Sequence, residues 1–257
     1  REQKDSWLSE VHSDIQYVKE PFKDGVLTIS DRRILLNGVI HTGSADYVTE
    51  RIHYFNNQSK EYPIFMVIDS SPGGSIMAGF RILKAMEESD APVYVVVKSF
   101  AASMAACITT LAEKSYAYPN AIILHHQPSS GMQGNLRQAE EYLEVFQEWG
   151  RRTMDPISKK MGISSKEFVK KMYENNSDGD WEEFADQAKK LKWVDNIVEE
   201  IKEQSFRKKP SDPEELDFFF LRKPGVPATE EEAKIKLPPL QPFDFYFMYN
   251  PDDRYVW

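Results

Sequence analysis

The chain has 257 residues, 32 Lys and Arg against 41 Asp and Glu, a formal net charge of −9 and a single cysteine. The acidic balance argues against general nucleic-acid binding, which calls for a basic face. Cys107 alone can form no internal disulfide, which fits a reducing compartment, and it leaves no Cys/His cluster for a zinc site.

The first 25 residues are charged and irregular, with a short helix expected around Trp7 to Val18. Strands are expected at Val26–Ile29 and Ile34–Leu36, and helical spacing of Val48, Ile52 and Phe55 predicts a helix over Ala45–Asn57. The run Ile64 to Ile68, bounded by Pro63 and Asp69, predicts a strand buried on both faces. Ser71-Pro72-Gly73-Gly74-Ser75 then reads as a tight turn leading into a helix that ends near Glu88. Val93–Val97 predicts a second buried strand, followed by small residues and a helix from Ser103. Ala121–Leu124 predicts a third. Strand, turn and helix thus recur as in parallel α/β proteins. A long amphipathic helix is expected over Leu136–Met161, with Tyr142, Val145, Phe146 and Trp149 at helical spacing. Shorter helices are expected at Lys166–Asn175 and Glu182–Leu191, with Val194–Val198 closing the domain. No stretch reads as a transmembrane helix: Ala91–Ala112, the most apolar, is interrupted by Lys98 and hydroxyl residues. The chain opens on Arg1, so a targeting segment removed upstream is compatible with it. The expected localisation is cytoplasm or an organelle matrix, with an exported form left open.

After Gln204 the character changes. Eight of the 15 prolines lie between Pro210 and Pro251, too dense for a regular core. Yet the segment carries Phe218-Phe219-Phe220 and the run Phe243 to Tyr249, and disordered linkers are poor in aromatics. The expectation is an extended tail that docks on its own domain or on a neighbour. The domain plan is an N-terminal segment 1–25, a main domain 26–203 and a C-terminal extension 204–257.

Four segments could carry chemistry, each with a plainer alternative. Ser103, among small residues at the start of a helix, could be a nucleophile beside unpaired N–H groups and a positive dipole end, or simply a helix cap. Gly73-Gly74 suits an oxyanion hole or a plain turn. His125-His126 ends a parallel strand, where α/β sites collect. An imidazole there could take a proton from a serine, or be an ordinary strand-end histidine. Asp178 or Asp180 could orient that imidazole, or belong to a turn.

Together, Ser71-Pro72-Gly73-Gly74-Ser75, Ala101-Ala102-Ser103-Met104, Pro119-Asn120 and His126-Gln127-Pro128 resemble ClpP, the proteolytic subunit of the Clp protease. The order matches, and the interval from Gly74 to Ser103 needs no gap. The likeness runs from about Arg32 to Glu200. It implies a crotonase-like α/β spiral of ββα units with a protruding handle at about 129–161. It implies Ser103 as nucleophile, His126 as general base and the backbone N–H groups of Gly74 and Met104 as the oxyanion hole. A short insertion after Gly162 leaves the acid as Asp180, with Asp178 the alternative. The chain departs from the family pattern in several places: an additional residue in Asp69-Ser70-Ser71, Ala105 for a common glycine, Ser129-Ser130 in a Gly-rich turn, and Lys192-Trp193 for Gly-Leu.

The resemblance further implies peptide-bond hydrolysis through an acyl-enzyme, without metal or organic cofactor. Substrates would be peptides and unfolded proteins, the assembly heptameric rings stacked in pairs, and the partner an AAA+ unfoldase, with neither nucleic acid nor membrane involved. The rival readings are a structural ring subunit with a decayed site, a crotonase-fold acyl-CoA enzyme, and a Ser-Lys peptidase using Lys98. A tail resting on the outer ring surface or a neighbour would limit unfoldase docking.

Overall fold

The computed structural model describes residues 15–129, 133–174, 176–204 and 234–256. The expected helix at Trp7–Val18 lies mostly outside them, and 15–18 are not helical. Ser130, Phe218-Phe219-Phe220, the end of the Lys166–Asn175 helix at Asn175, and Trp257 also lie outside.

The centre is a mixed sheet. β3 (Arg33–Leu35), β5 (Ile64–Ser71), β7 (Val93–Ala102), β8 (Lys114–Ala117) and β9 (Ile122–His125) pair in parallel, and β10 (Trp181–Phe184) closes the edge antiparallel to β9. β7 has two neighbours on one side: Tyr94–Val97 pair with β8, and Phe100–Ala102 with β9. β11 (Asn196–Ile197) extends the β8 edge.

The unbroken apolar runs of β5 and β7 have a direct structural reason. Successive side chains point to opposite faces of a sheet. Ile64, Met66 and Ile68, with Val93, Val95 and Val97, enter the main core under the helices. Phe65, Val67, Tyr94 and Val96 enter a second core with Leu27, Ile29 and Tyr116. The second core is roofed by β1 (Phe22–Lys23), β2 (Val26–Ile29) and β12 (Glu200–Glu203), a small sheet in which β2 and β12 run parallel.

On the main-core face lie α1 (Thr42–Gln58), α2 (Ile76–Glu87), α3 (Met104–Leu111) and the long α4 (Leu136–Met161), followed by α5 (Ser165–Met172) and α6 (Ala185–Lys190). α3 is buried from Met104 to Thr110, which explains its small residues. α4 starts in a capping box, where the Asn135 side chain accepts from Gln138 N and Gln138 caps in return. It ends on Gly162 at φ 83, a left-handed stop open to glycine. Its buried residues cluster in the C-terminal half, Gly150 to Ser158, while Leu136 near its start is 77% exposed.

Three expectations need correction. Gly73–Ser75 is not only a turn: it forms β6, paired in parallel with β4 (Val39–Ile40). The helix expected from Glu182 begins at Ala185, because Trp181–Phe184 complete the sheet edge. β8, short and mixed in polarity, was not expected at all. The register of β5 on β7 shifts between Ile68 and Ser70, where Lys98 and Ser99 face Asp69 alone in a β-bulge. Among the described residues, no helix is long and apolar enough to cross a membrane.

The C-terminal segment joins this frame. β14 (Tyr246–Met248) pairs antiparallel with β6, and β13 (Ile235–Lys236) pairs with β15 (Tyr255–Val256). The two-faced core predicts that Ile64→Ala, at a fully buried position, lowers stability by about 2–5 kcal/mol in a denaturant titration. A loss under 1 kcal/mol would mean the β5 core is not packed as described.

Candidate active site

Ser103 lies between the end of β7 and the start of α3. Its N–H donates to Leu124 O at 2.8 Å, and its carbonyl accepts from Cys107 N at 2.9 Å. This pinned strand-to-helix turn holds Ser103 at φ 59, ψ −120, where a side chain costs about 1–3 kcal/mol of strain. The hydroxyl makes no capping hydrogen bond, so the plain helix-cap reading does not describe it. It stands 2.7 Å from His126 Nε2 instead.

His126 follows β9, the strand beside the end of β7, which is how residues 23 apart in sequence meet. Burial holds its imidazole well below the ordinary histidine range, at about 4, so at neutral pH it is uncharged. His125 points to the other side. Its Nε2 lies 3.0 Å from Thr110 Oγ1, and its ring packs edge-on against Trp193 and Phe168. Burial, with His126 adding to it, depresses its pKa to about 3.

The Asp178–Asp180 turn is set by Asn176, whose Oδ1 accepts from Gly179 N and Asp180 N. It brings Asp180 Oδ1 to 4.0 Å from His126 Nδ1, an ion-pair distance longer than a hydrogen bond. Burial, and then Asp178 and Glu182, raise the Asp180 pKa. Asp178 is exposed.

Gly73 and Gly74 complete the floor. A Cβ on Gly74 would stand 2.1 Å from Ile40 O, so only glycine lets β6 lie against β4. A Cβ on Gly73 would meet Phe247 O at 2.6 Å, Met104 N at 2.8 Å and Ser103 Cβ at 2.8 Å. One small volume is therefore ringed by the start of α3, the serine and the tail. Lys98 donates to the Glu203 carboxylate, and Arg33 also pairs with Glu203. The ammonium required by a Ser-Lys reading is thus engaged elsewhere.

The family relationship now has a geometric setting. The Clp protease family model matches residues 22–201. The chain belongs to the Clp protease family. An ATP-dependent Clp protease proteolytic subunit of Ligilactobacillus salivarius is 34% identical over 114 residues, 44% of this chain and 57% of the relative. Proteins of the same description from Leuconostoc citreum and Streptococcus mutans are 32% and 27% identical, over 53% and 66% of this chain and 68% and 86% of their own lengths. The first of these matches spans little more than half of its relative.

Of the residues to which the sequence pointed, the structure brings Ser103 to His126, sets Asp180 4.0 Å from that imidazole, and places Ser103 and Met104 N against Gly73, the neighbour of Gly74. It does not bring Asp178 to the imidazole. What sequence reasoning missed is the place of the tail. Asp244 accepts hydrogen bonds from Ser75 Oγ and, at 2.9 Å, from Met77 N, at the N-terminus of α2. Phe245 packs on Tyr142 and Phe146 of α4, and the Phe247 ring lies 4.9 Å from that of His126. Each of these phenylalanines, buried, contributes about 1.5–3 kcal/mol to docking. The aromatic run was the available signal, but nothing in it named its receptor. A tail covering an outer surface is not what the described residues show.

The two buried histidines give the site a pH signature. Above an ordinary pKa of about 6.5 both are neutral in folded and unfolded chains alike, and their part of the stability is complete. As pH falls toward 4, the unfolded chain takes up protons that the folded one refuses, and stability drops by up to about 1.4 kcal/mol per pH unit per histidine. Thermal melts from pH 7 to 4.5 should show a shallower slope for His126→Gln, by about one proton. An unchanged slope would place His126 in solvent.

Proposed function

We propose that the chain is a serine peptidase of the Clp type, hydrolysing peptide bonds through an acyl-enzyme. The observation that carries this reading is the 2.7 Å approach of His126 Nε2 to the hydroxyl of a serine held in a strained turn at a helix start. In this reading neutral His126 accepts the Ser103 proton as the oxygen attacks the substrate carbonyl. The N–H groups of Gly74 and Met104 hold the oxyanion, each worth roughly 3–4 kcal/mol of barrier. The imidazolium then protonates the leaving amine, and water releases the acyl group by the reverse steps.

Asp180 is the carboxylate assigned to orient His126. Its 4.0 Å separation closes to a hydrogen bond once the imidazolium forms, as catalytic contacts often tighten only with substrate bound. The fold is read as the crotonase-like spiral, with α4 as the handle between rings. Peptides and unfolded proteins are the substrates, delivered by an AAA+ partner into stacked heptameric rings. Retention of a buried serine and histidine with a partly buried carboxylate near by speaks against a purely structural subunit.

The test is hydrolysis of a short fluorogenic peptide by the full chain at neutral pH. Whatever the wild-type rate above buffer, Ser103→Ala should lower it by about 10³-fold or more, with the melting temperature kept. Equal rates, both above buffer, in wild type and Ser103→Ala would refute Ser103 as nucleophile.

A further inference from the structure

We infer that the C-terminal strand β14 is a substrate-mimicking plug: it fills the peptide groove of its own chain and must leave before a substrate peptide can be cut. This rests on the peptidase reading above and adds the regulation of that site.

The register carries the inference. Ile76 N donates to Phe245 O and Tyr249 N donates to Pro72 O, both at 2.8 Å. Hydrogen-bonded pairs alternate in an antiparallel ladder, so the pair midway between them, Phe247 and Gly74, is also hydrogen-bonded. The Gly74 N–H assigned to the oxyanion hole therefore faces the Phe247 carbonyl. Met104 N and Ser103 Cβ crowd the same point from the other side, within 2.8 Å of where a Gly73 Cβ would stand, while Phe247 O lies 2.6 Å from it. The strand continues past this carbonyl through Met248 to Tyr249, whose ring meets Phe100. A peptide chain thus runs through the site on both sides of the bond that a serine there would attack.

Strand addition of this kind is how extended peptides are recognised, the backbone supplying affinity and side-chain pockets supplying register. The register here is fixed by the residues that lead into β14. Asp244 caps α2, the Phe243 carbonyl accepts from Trp149 Nε1 at 3.0 Å, and Phe245 enters the aromatic face of α4. With β14 seated, Ser103 is 0% and His126 7% exposed, so no second peptide reaches them. The seated state is also the one in which Asp180 stands outside hydrogen-bond range of His126. Because the plug is tethered, free peptide competes against a high effective concentration.

The experiment compares full-chain wild type with Phe247→Pro, which removes the N–H facing Gly74, and with Phe245→Asp, which places a charge against Tyr142 and Phe146. The readout is kcat/KM on a short fluorogenic peptide, with amide hydrogen exchange followed at Ile76 and Tyr249. The expected result is faster exchange at both amides and at least a 10-fold rise in kcat/KM, abolished by adding Ser103→Ala. A synthetic peptide of residues 243–249 should restore inhibition, competitively, which also shows the variant site to be folded. Equal, Ser103-dependent activity in wild type and variants overturns the plug and leaves the peptidase reading standing. Released amides with no hydrolysis overturn the peptidase reading and the plug with it. Wild-type chain found by mass spectrometry to end at Phe247 overturns the plug as well, since the segment would then be a substrate.

Discussion

The arrangement depends on a close approach that only glycine permits. β6 is three residues long, yet it lies between β4 and β14 and packs against the serine-bearing turn. A methyl group on Gly74 would collide with the backbone of Ile40, and one on Gly73 would fill the space where Ser103, Met104 and Phe247 converge. Without side chains at both positions, the strand can offer its N–H groups to the site on one edge while pairing with β4 on the other. The left-handed φ of 91 at Gly73 and of 154 at Gly74 adds a second reason for glycine.

Around that strand, burial does two kinds of work. It supplies the cohesion of the fold through two cores on opposite faces of β5 and β7. It also sets the protonation of the site, since a histidine removed from water is neutral and can accept a proton from a serine only in that form. The same burial raises the Cys107 thiol to about 12, making it an inert packing residue one turn beyond Ser103.

Legibility in the sequence followed the range of the interaction. β5, β7 and α4 were readable because their patterns are local: apolar runs for strands with two buried faces, helical spacing for the helix. The serine, the histidine and Gly74 became readable only in conjunction, through order and spacing. Counting along the sequence favoured Asp180 with Asp178 as the alternative; what sets Asp180 4.0 Å from the imidazole is the Asn176-centred turn, a loop geometry that spacing does not encode. β10 was hidden because Trp181–Phe184 is held by pairing with β9, and pairing overrode its helical neighbours. The docking of β14 was hidden for a similar reason. Phe245 and Phe247 announce a need for burial, while what receives them is remote in the chain: α4 and His126 for the rings, and β6, about 170 residues away, for the backbone.

The central claim is that Ser103 is a nucleophile activated by His126. The most direct measurement is modification of the intact chain by a fluorophosphonate, mapped by peptide mass spectrometry. The account predicts one modified residue, Ser103, formed slowly in wild type and lost in His126→Gln. Modification that survives His126→Gln at the wild-type rate, or that falls on another serine, would contradict it.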